Sequence, residues 1–198
     1  ALPSVNPMGG PVDMSICFEG RVSDWLVDFF HKIGASYERV EVSPGRDNVI
    51  ARYNSPGADF TILLDAHQDT VPVAGMTIAP FEPKVADGRL YGRGACDVKG
   101  GMAAMLFAFR RLILEQPAGA ANVVLSCTCD EEATITGITD LVSYWAAGNR
   151  RTIAQTELGH CGLEERASPP PRIEQHPGRC RPQSEQNQAG HARAFLEH

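Results

Sequence analysis

Three short clusters hold most of the residues able to do chemistry: His67-Gln68-Asp69-Thr70-Val71-Pro72, Asp97 within Gly92-Arg93-Gly94-Ala95-Cys96-Asp97-Val98-Lys99-Gly100-Gly101, and Asp130-Glu131-Glu132. His67 and Asp69 are two apart, so extended backbone turns both to one face. A metal-binding histidine commonly gives its second ring N–H to a carboxylate, which fixes its tautomer. Asp69 suits that role, although a polar loop tip shows the same pattern. Asp97 sits among glycines that permit close approach of other groups, where a carboxylate can bridge two cations. The plainer reading is an Asp favoured by a helix start. Glu131 and Glu132 are adjacent and their side chains diverge, so one can bind metal while the other acts as general base on water. A solvated acidic turn is the plain alternative. Together the clusters say more than each alone. An imidazole with several carboxylates suits zinc, with cobalt or manganese as alternatives. Asp65, Asp69, Asp97, Asp130, Glu131 and Glu132 brought to one edge repel one another unless cations neutralise them. The Gly-x-Gly step lacks phosphate-loop spacing, which excludes nucleotide binding by that device.

The elements that must position these residues alternate. Val22, Trp25, Leu26, Phe29, Phe30 and Ile33 recur at helical spacing across Gly20 to Gly34. Strands are expected over Tyr37 to Val42, Asp47 to Tyr53, Phe60 to Leu64 and Asn122 to Cys127. Asp87-Gly88 marks a hairpin turn within Ala86 to Tyr91. Further helices are expected over Lys99 to Gln116, ended by Pro117, and over Thr136 to Ala147. The fold class is therefore α/β: a mainly parallel mixed sheet flanked by helices. Ligands of open α/β sheets bind beyond the carboxyl ends of strands, so the three clusters should meet at one sheet edge.

Residues 1–150 form the expected catalytic domain. Residues 151–198 read as an atypical tail rich in Pro, Arg and Gln, with Ile173 almost its only large aliphatic residue before Phe195. Such composition cannot offset its ordering entropy, and disorder is expected there. The formal net charge of −6 argues against nucleic acid as a partner. No apolar run reaches the ~20 residues that cross a bilayer, and no secretory signal opens the chain. The six cysteines form no C-x-x-C pair; Cys127 and Cys129 lie in an apolar run and are expected as buried free thiols. These features point to the cytoplasm.

The motifs match a known family. Ser4-Val5-Asn6-Pro7, Leu64-Asp65-Ala66-His67-Gln68-Asp69-Thr70-Val71-Pro72, Tyr91 to Met102, and Asp130-Glu131-Glu132 followed by Thr136-Gly137 resemble the M20 metallopeptidases and deacylases over about residues 1–150. The nearest branch is that of acetylornithine deacetylase and succinyl-diaminopimelate desuccinylase. The resemblance implies a zinc-exopeptidase-like domain, with two zinc ions (cobalt as a substitute) and a small N-acyl amino acid or short peptide as substrate. It implies that His67 binds one zinc, Glu132 the other, and Asp97 bridges both. Glu131 would be the general base and Asp69 the partner that orients His67. The expected reaction is N-acyl-amino-acid deacylation, with a dipeptidase, aminopeptidase or carboxypeptidase as the alternative.

The departures are equally definite. The family's second acidic ligand and terminal histidine have no counterpart in matching context; Glu157, His160, His176, His191 and His198 are not assigned. Neither the inserted domain through which the family forms homodimers nor its helix before Ser4 is expected within this sequence. A fragment, or a reading-frame change near Gly148 to Leu158, would account for all of this. It leaves a catalytically inactive partial domain as the third reading.

Overall fold

The computed structural model describes residues 1–147 and the backbone of residues 152–157. The disorder expected over 151–198 therefore falls, apart from that short segment, outside the described residues. A helix, α1 (Gly20–Lys32), comes first. Three strands follow: β1 (Ser36–Ser43), β2 (Arg46–Tyr53) and β3 (Thr61–His67). A small hairpin pairs β4 (Lys84–Ala86) with β5 (Arg89–Tyr91). The rest is α2 (Lys99–Glu115), β6 (Asn122–Thr128), α3 (Thr136–Ala147) and β7 (Thr152–Glu157).

The five strands outside the hairpin make one sheet in the order β1-β2-β6-β3-β7. The sheet is mixed, as expected. β1–β2 and β2–β6 pair antiparallel, whereas β3 is parallel to both β6 and β7. The parallel half is the half that carries the chemistry. β7 lies in the segment that composition assigns to the tail; its short run of β-branched residues pairs along the flank of β3, which would otherwise be an unpaired edge.

Alternation along the strands divides the core between two faces. Val49, Ala51 and Tyr53 of β2 join Leu26, Phe30, Met102, Met105 and Phe109 on the face covered by α1 and α2. Ile50, Leu63 and Val124 point the other way, onto Leu141 of α3. The stripe read from α1 holds for Val22, Leu26 and Phe30, which are buried, while Trp25 is exposed and stacks on Phe29. Phe30 meets Phe109 edge-to-face with centroids 5.9 Å apart, locking α1 to α2. The hairpin turns through Asp87 and Gly88, both at positive φ, as the Asp-Gly pair demands.

β3 runs three residues further than its apolar core suggests, through Asp65 to His67. Polar residues can occupy this buried stretch because Asp65 accepts hydrogen bonds from the hydroxyls of Ser126 and Thr128 on β6.

Candidate metal centre

Strand register brings the first and third clusters together. His67, the last residue of β3, stands opposite Thr128, the last of β6, and Gln68 N–H donates to the Thr128 carbonyl at 2.8 Å. The two strands thus leave the sheet at one level, one into Asp69 and the other into Asp130-Glu131-Glu132. β7 ends at the same side of the sheet, its Glu157 level with Asp65. The second cluster arrives from the start of α2. Gly100 allows the loop to fold onto the helix: a Cβ there would lie 2.3 Å from the Ala95 carbonyl oxygen.

His67 is the meeting point. Its Nε2 lies 3.1 Å from Asp97 Oδ1 and 3.6 Å from Glu131 Oε2. Its Nδ1 faces Asp69, with the backbone carbonyl oxygen at 3.0 Å and Oδ1 at 3.5 Å. His67 and Asp69 are almost wholly buried, whereas the Asp97 side chain is 48% exposed and opens the cluster to solvent. Donor atoms of His67, Asp97 and Glu132 all lie within 4.8 Å of one another. All five residues singled out from the sequence are therefore neighbours.

Asp69 does more than face the histidine. It accepts from Asn6 Nδ2 at 2.7 Å and from the backbone N–H groups of Glu131 and Glu132, each at 3.1 Å. Asn6 reaches this position because Ser4 to Asn6 runs along the loop after β3: Thr70 N–H donates to the Ser4 carbonyl and Asn6 N–H to the Thr70 carbonyl. Lys99 ties that segment down from α2, donating to Leu2 O at 2.8 Å and Ser4 Oγ at 2.6 Å.

Sequence reasoning missed Glu19 and Arg46. Arg46 holds Glu19 through a two-pronged contact, Nε to Oε2 at 3.0 Å and Nη2 to Oε1 at 2.5 Å, and gives Nη1 to Asp130 Oδ1 at 2.5 Å. No motif marks either residue. The one available signal was charge: a cluster of carboxylates this dense calls for a buried cation among the protein's own residues.

Electrostatics show what the cluster lacks. Burial disfavours a proton on His67, but the carboxylates of Asp69 and Asp97 outweigh it and hold the ring proton up to about 11. Burial, followed by the charges of Asp97, Glu131 and Asp69, pushes the Glu132 carboxyl up to about 7, with His67 opposing. Burial also works against the Asp69 charge, yet the bonds from His67 and Asn6 and the Glu132 N–H keep it below the ordinary aspartate value. One imidazole and two carboxylates, facing one another and short of positive charge, fit a divalent metal such as zinc.

Comparison with known proteins agrees with this geometry. Residues 63–176 match the model of peptidase family M20/M25/M40, a span that continues past residue 150. A succinyl-diaminopimelate desuccinylase from Cereibacter sphaeroides is 35% identical over 151 residues, which is 75% of this chain and 39% of that protein. The M20 family metallo-carboxypeptidase from Sulfolobus solfataricus superposes with a TM-score of 0.61 at 25% identity, over 80% of this chain and 35% of that one. A tripeptidase from Staphylococcus aureus superposes with a TM-score of 0.53 at 26% identity, over 64% of this chain and 35% of that one. An α/β domain with an imidazole–carboxylate cluster beyond its parallel strands is the class the fold defines. The chain belongs to peptidase family M20/M25/M40, and it spans between 28% and 39% of the length of the curated relatives it matches.

The cysteines behave as expected: Cys127 and Cys129 are free and buried, and burial pushes the Cys129 thiol up to about 12. Among the described residues, no helix is long and apolar enough to cross a membrane.

Proposed function

We propose that this chain carries the metal-binding and proton-transfer residues of an amide hydrolase acting on an N-acyl amino acid. The observation that carries this reading is the approach of His67, Asp97 and Glu132 to within 4.8 Å of one another. His67 and Glu132 would each hold one zinc, with cobalt as a substitute, and Asp97 would bridge the pair from the solvent-facing side. The chemistry such cations supply is polarisation of the amide carbonyl and acidification of water. Glu131 is the general base: its carboxylate sits beside His67, where it takes a proton from water and returns it to the leaving amine. Asp69 fixes which nitrogen of His67 faces the site.

Relatives named as succinyl-diaminopimelate desuccinylases favour a succinylated amine over N-acetylornithine as substrate. A peptidase is the second reading, favoured by the carboxypeptidase and tripeptidase that share the fold. The test is hydrolysis of N-succinyl-diaminopimelate, N-acetylornithine and a dipeptide panel with added zinc or cobalt. Turnover abolished by Glu131→Gln supports the proposal, and the preferred substrate chooses between the readings. Turnover indifferent to that substitution contradicts it.

A further inference from the structure

Three consecutive backbone N–H groups of the acidic turn are each gripped by a fully buried carboxylate. Asp130 N–H donates to Glu19 Oε1, Glu131 N–H to Asp69 Oδ1 and Glu132 N–H to Asp69 Oδ2, all at 3.1 Å. Glu19 and Asp69 come from different parts of the chain, the residue before α1 and the loop after β3. They are cross-braced. Arg46 joins Glu19 to Asp130 through the contacts given above, and Asn6 Nδ2 joins Asp130 Oδ1 at 2.9 Å to Asp69 Oδ2 at 2.7 Å. The Phe18 ring lies 5.4 Å from the guanidinium and closes it off. Thr134 and Thr136 hydroxyls take the other oxygen of Asp130.

From this geometry we infer that Glu19 and Arg46 are positioning residues for the metal centre, setting the direction in which Glu131 and Glu132 leave the turn. Holding three successive peptide N–H groups from one side fixes the planes of those peptides. Asp130, at φ +60°, makes the tight bend that fixing requires. The inner face of the turn is then occupied by Glu19 and Asp69, and Glu131 reaches His67 from the other. Asp69 alone grips only the last two N–H groups; the first depends on Glu19. Glu19, fully buried, in turn depends on Arg46, whose planar fork satisfies both of its oxygens while a third N–H holds Asp130. A lysine keeps the charge but cannot make that fork.

This inference rests on the proposed metal site, and its test separates the two. Cobalt(II) is titrated into the metal-free chain, and its visible absorption reports affinity and coordination together. Failure of the unaltered chain to bind cobalt counts against the metal site itself. With that binding present, Arg46→Met and Glu19→Ala should each weaken cobalt affinity at least tenfold and change the spectrum at saturation, while Arg46→Lys falls between. Lys32→Met, which removes an exposed ion pair with Asp28, should change neither. Folded Glu19→Ala and Arg46→Met proteins with unaltered affinity and spectrum overturn the inference. Amide hydrogen exchange on the unaltered, metal-free chain decides the matter if the variants do not fold. Slow exchange at Asp130, Glu131 and Glu132 supports the grip, and exchange as fast as in an exposed loop overturns it.

Discussion

His67 Nε2 and Asp97 Oδ1 stand 3.1 Å apart, although thirty residues separate them in the chain. Burial works against a proton on this ring, but Asp69 and then Asp97 hold it up to about 11. A divalent cation must displace that proton and, below about pH 7, one from Glu132, whose carboxyl is pushed up to about 7. Metal affinity should therefore rise with pH, by about tenfold per unit for each proton released. Calorimetric titration of zinc at pH 6, 7 and 8, in buffers of different ionisation enthalpy, measures both affinity and proton release. A pH-independent affinity with no proton release would contradict this picture.

The same groups set how metal-free stability depends on pH. The folded value of Asp69 is depressed, so its contribution is complete above the unfolded value of ~3.9 and is lost as pH falls through the lower folded value. The folded value of His67 is raised, so its contribution is complete below ~6.5 and is lost as pH rises through about 11. Thermal unfolding of chelator-treated protein should show a midpoint that declines from pH 6.5 to pH 8, below the range in which Lys99, pushed down to about 8 by burial, works in the opposite sense, and His67→Gln should flatten that decline.

Asp69→Ala leaves the N–H groups of Glu131 and Glu132 without their buried acceptor. Each such group costs about 1–3 kcal/mol, so urea unfolding should show a loss of about 3 kcal/mol or more. The orientation of His67 is lost too, which typically weakens metal binding 10–100-fold. Unchanged stability in this variant would mean that the hydrogen bonds to Asp69 contribute little.

The adjacent glutamates should separate by function. Glu132→Gln should lower zinc affinity, because Glu132 belongs to the set of donor atoms that approach one another. Glu131→Gln should leave zinc affinity within a few-fold and lower turnover by about 10²–10⁴. Chelator competition and hydrolysis rates on the same preparations distinguish the two; equal effects of both changes on affinity would remove the division of roles.

Gly137 has no room for a side chain: a Cβ would lie 2.1 Å from the Cys129 carbonyl oxygen and 2.9 Å from Asn48 Oδ1. Asn48 holds this region, donating to Gly137 O and accepting from Cys129 N–H. Gly137→Ala should therefore destabilise the protein by about 1–3 kcal/mol or more, read as a lowered urea midpoint. Gly119→Ala is a useful contrast. Open space surrounds that site, so any cost arises from its positive φ alone.

Much of this was legible in the sequence, for identifiable reasons. The five residues His67, Asp69, Asp97, Glu131 and Glu132 follow or precede regular elements whose periodicity is strong, and parallel β3 and β6 carry two of the clusters to one level. The helical stripe Met102, Met105, Leu106 and Phe109 is buried as its spacing requires. Less was legible where partners lie far apart in sequence. The contact from Glu19 to Arg46 spans 27 residues and that from Arg46 to Asp130 spans 84, with no local pattern to join them. The even division of the sheet between parallel and antiparallel pairs was hidden likewise, because β1 and β2 form a hairpin ahead of the alternating α and β units. β7 carries too few apolar residues to stand out, and becomes a strand beside β3.

The most direct measurement is an anomalous-difference map from crystals of the zinc-loaded chain. The account places one zinc peak beside His67 Nε2 and Asp97, lost in His67→Ala, and a second beside Asp97 and Glu132. Zinc bound elsewhere, or no peak beside His67 and Asp97, would contradict it.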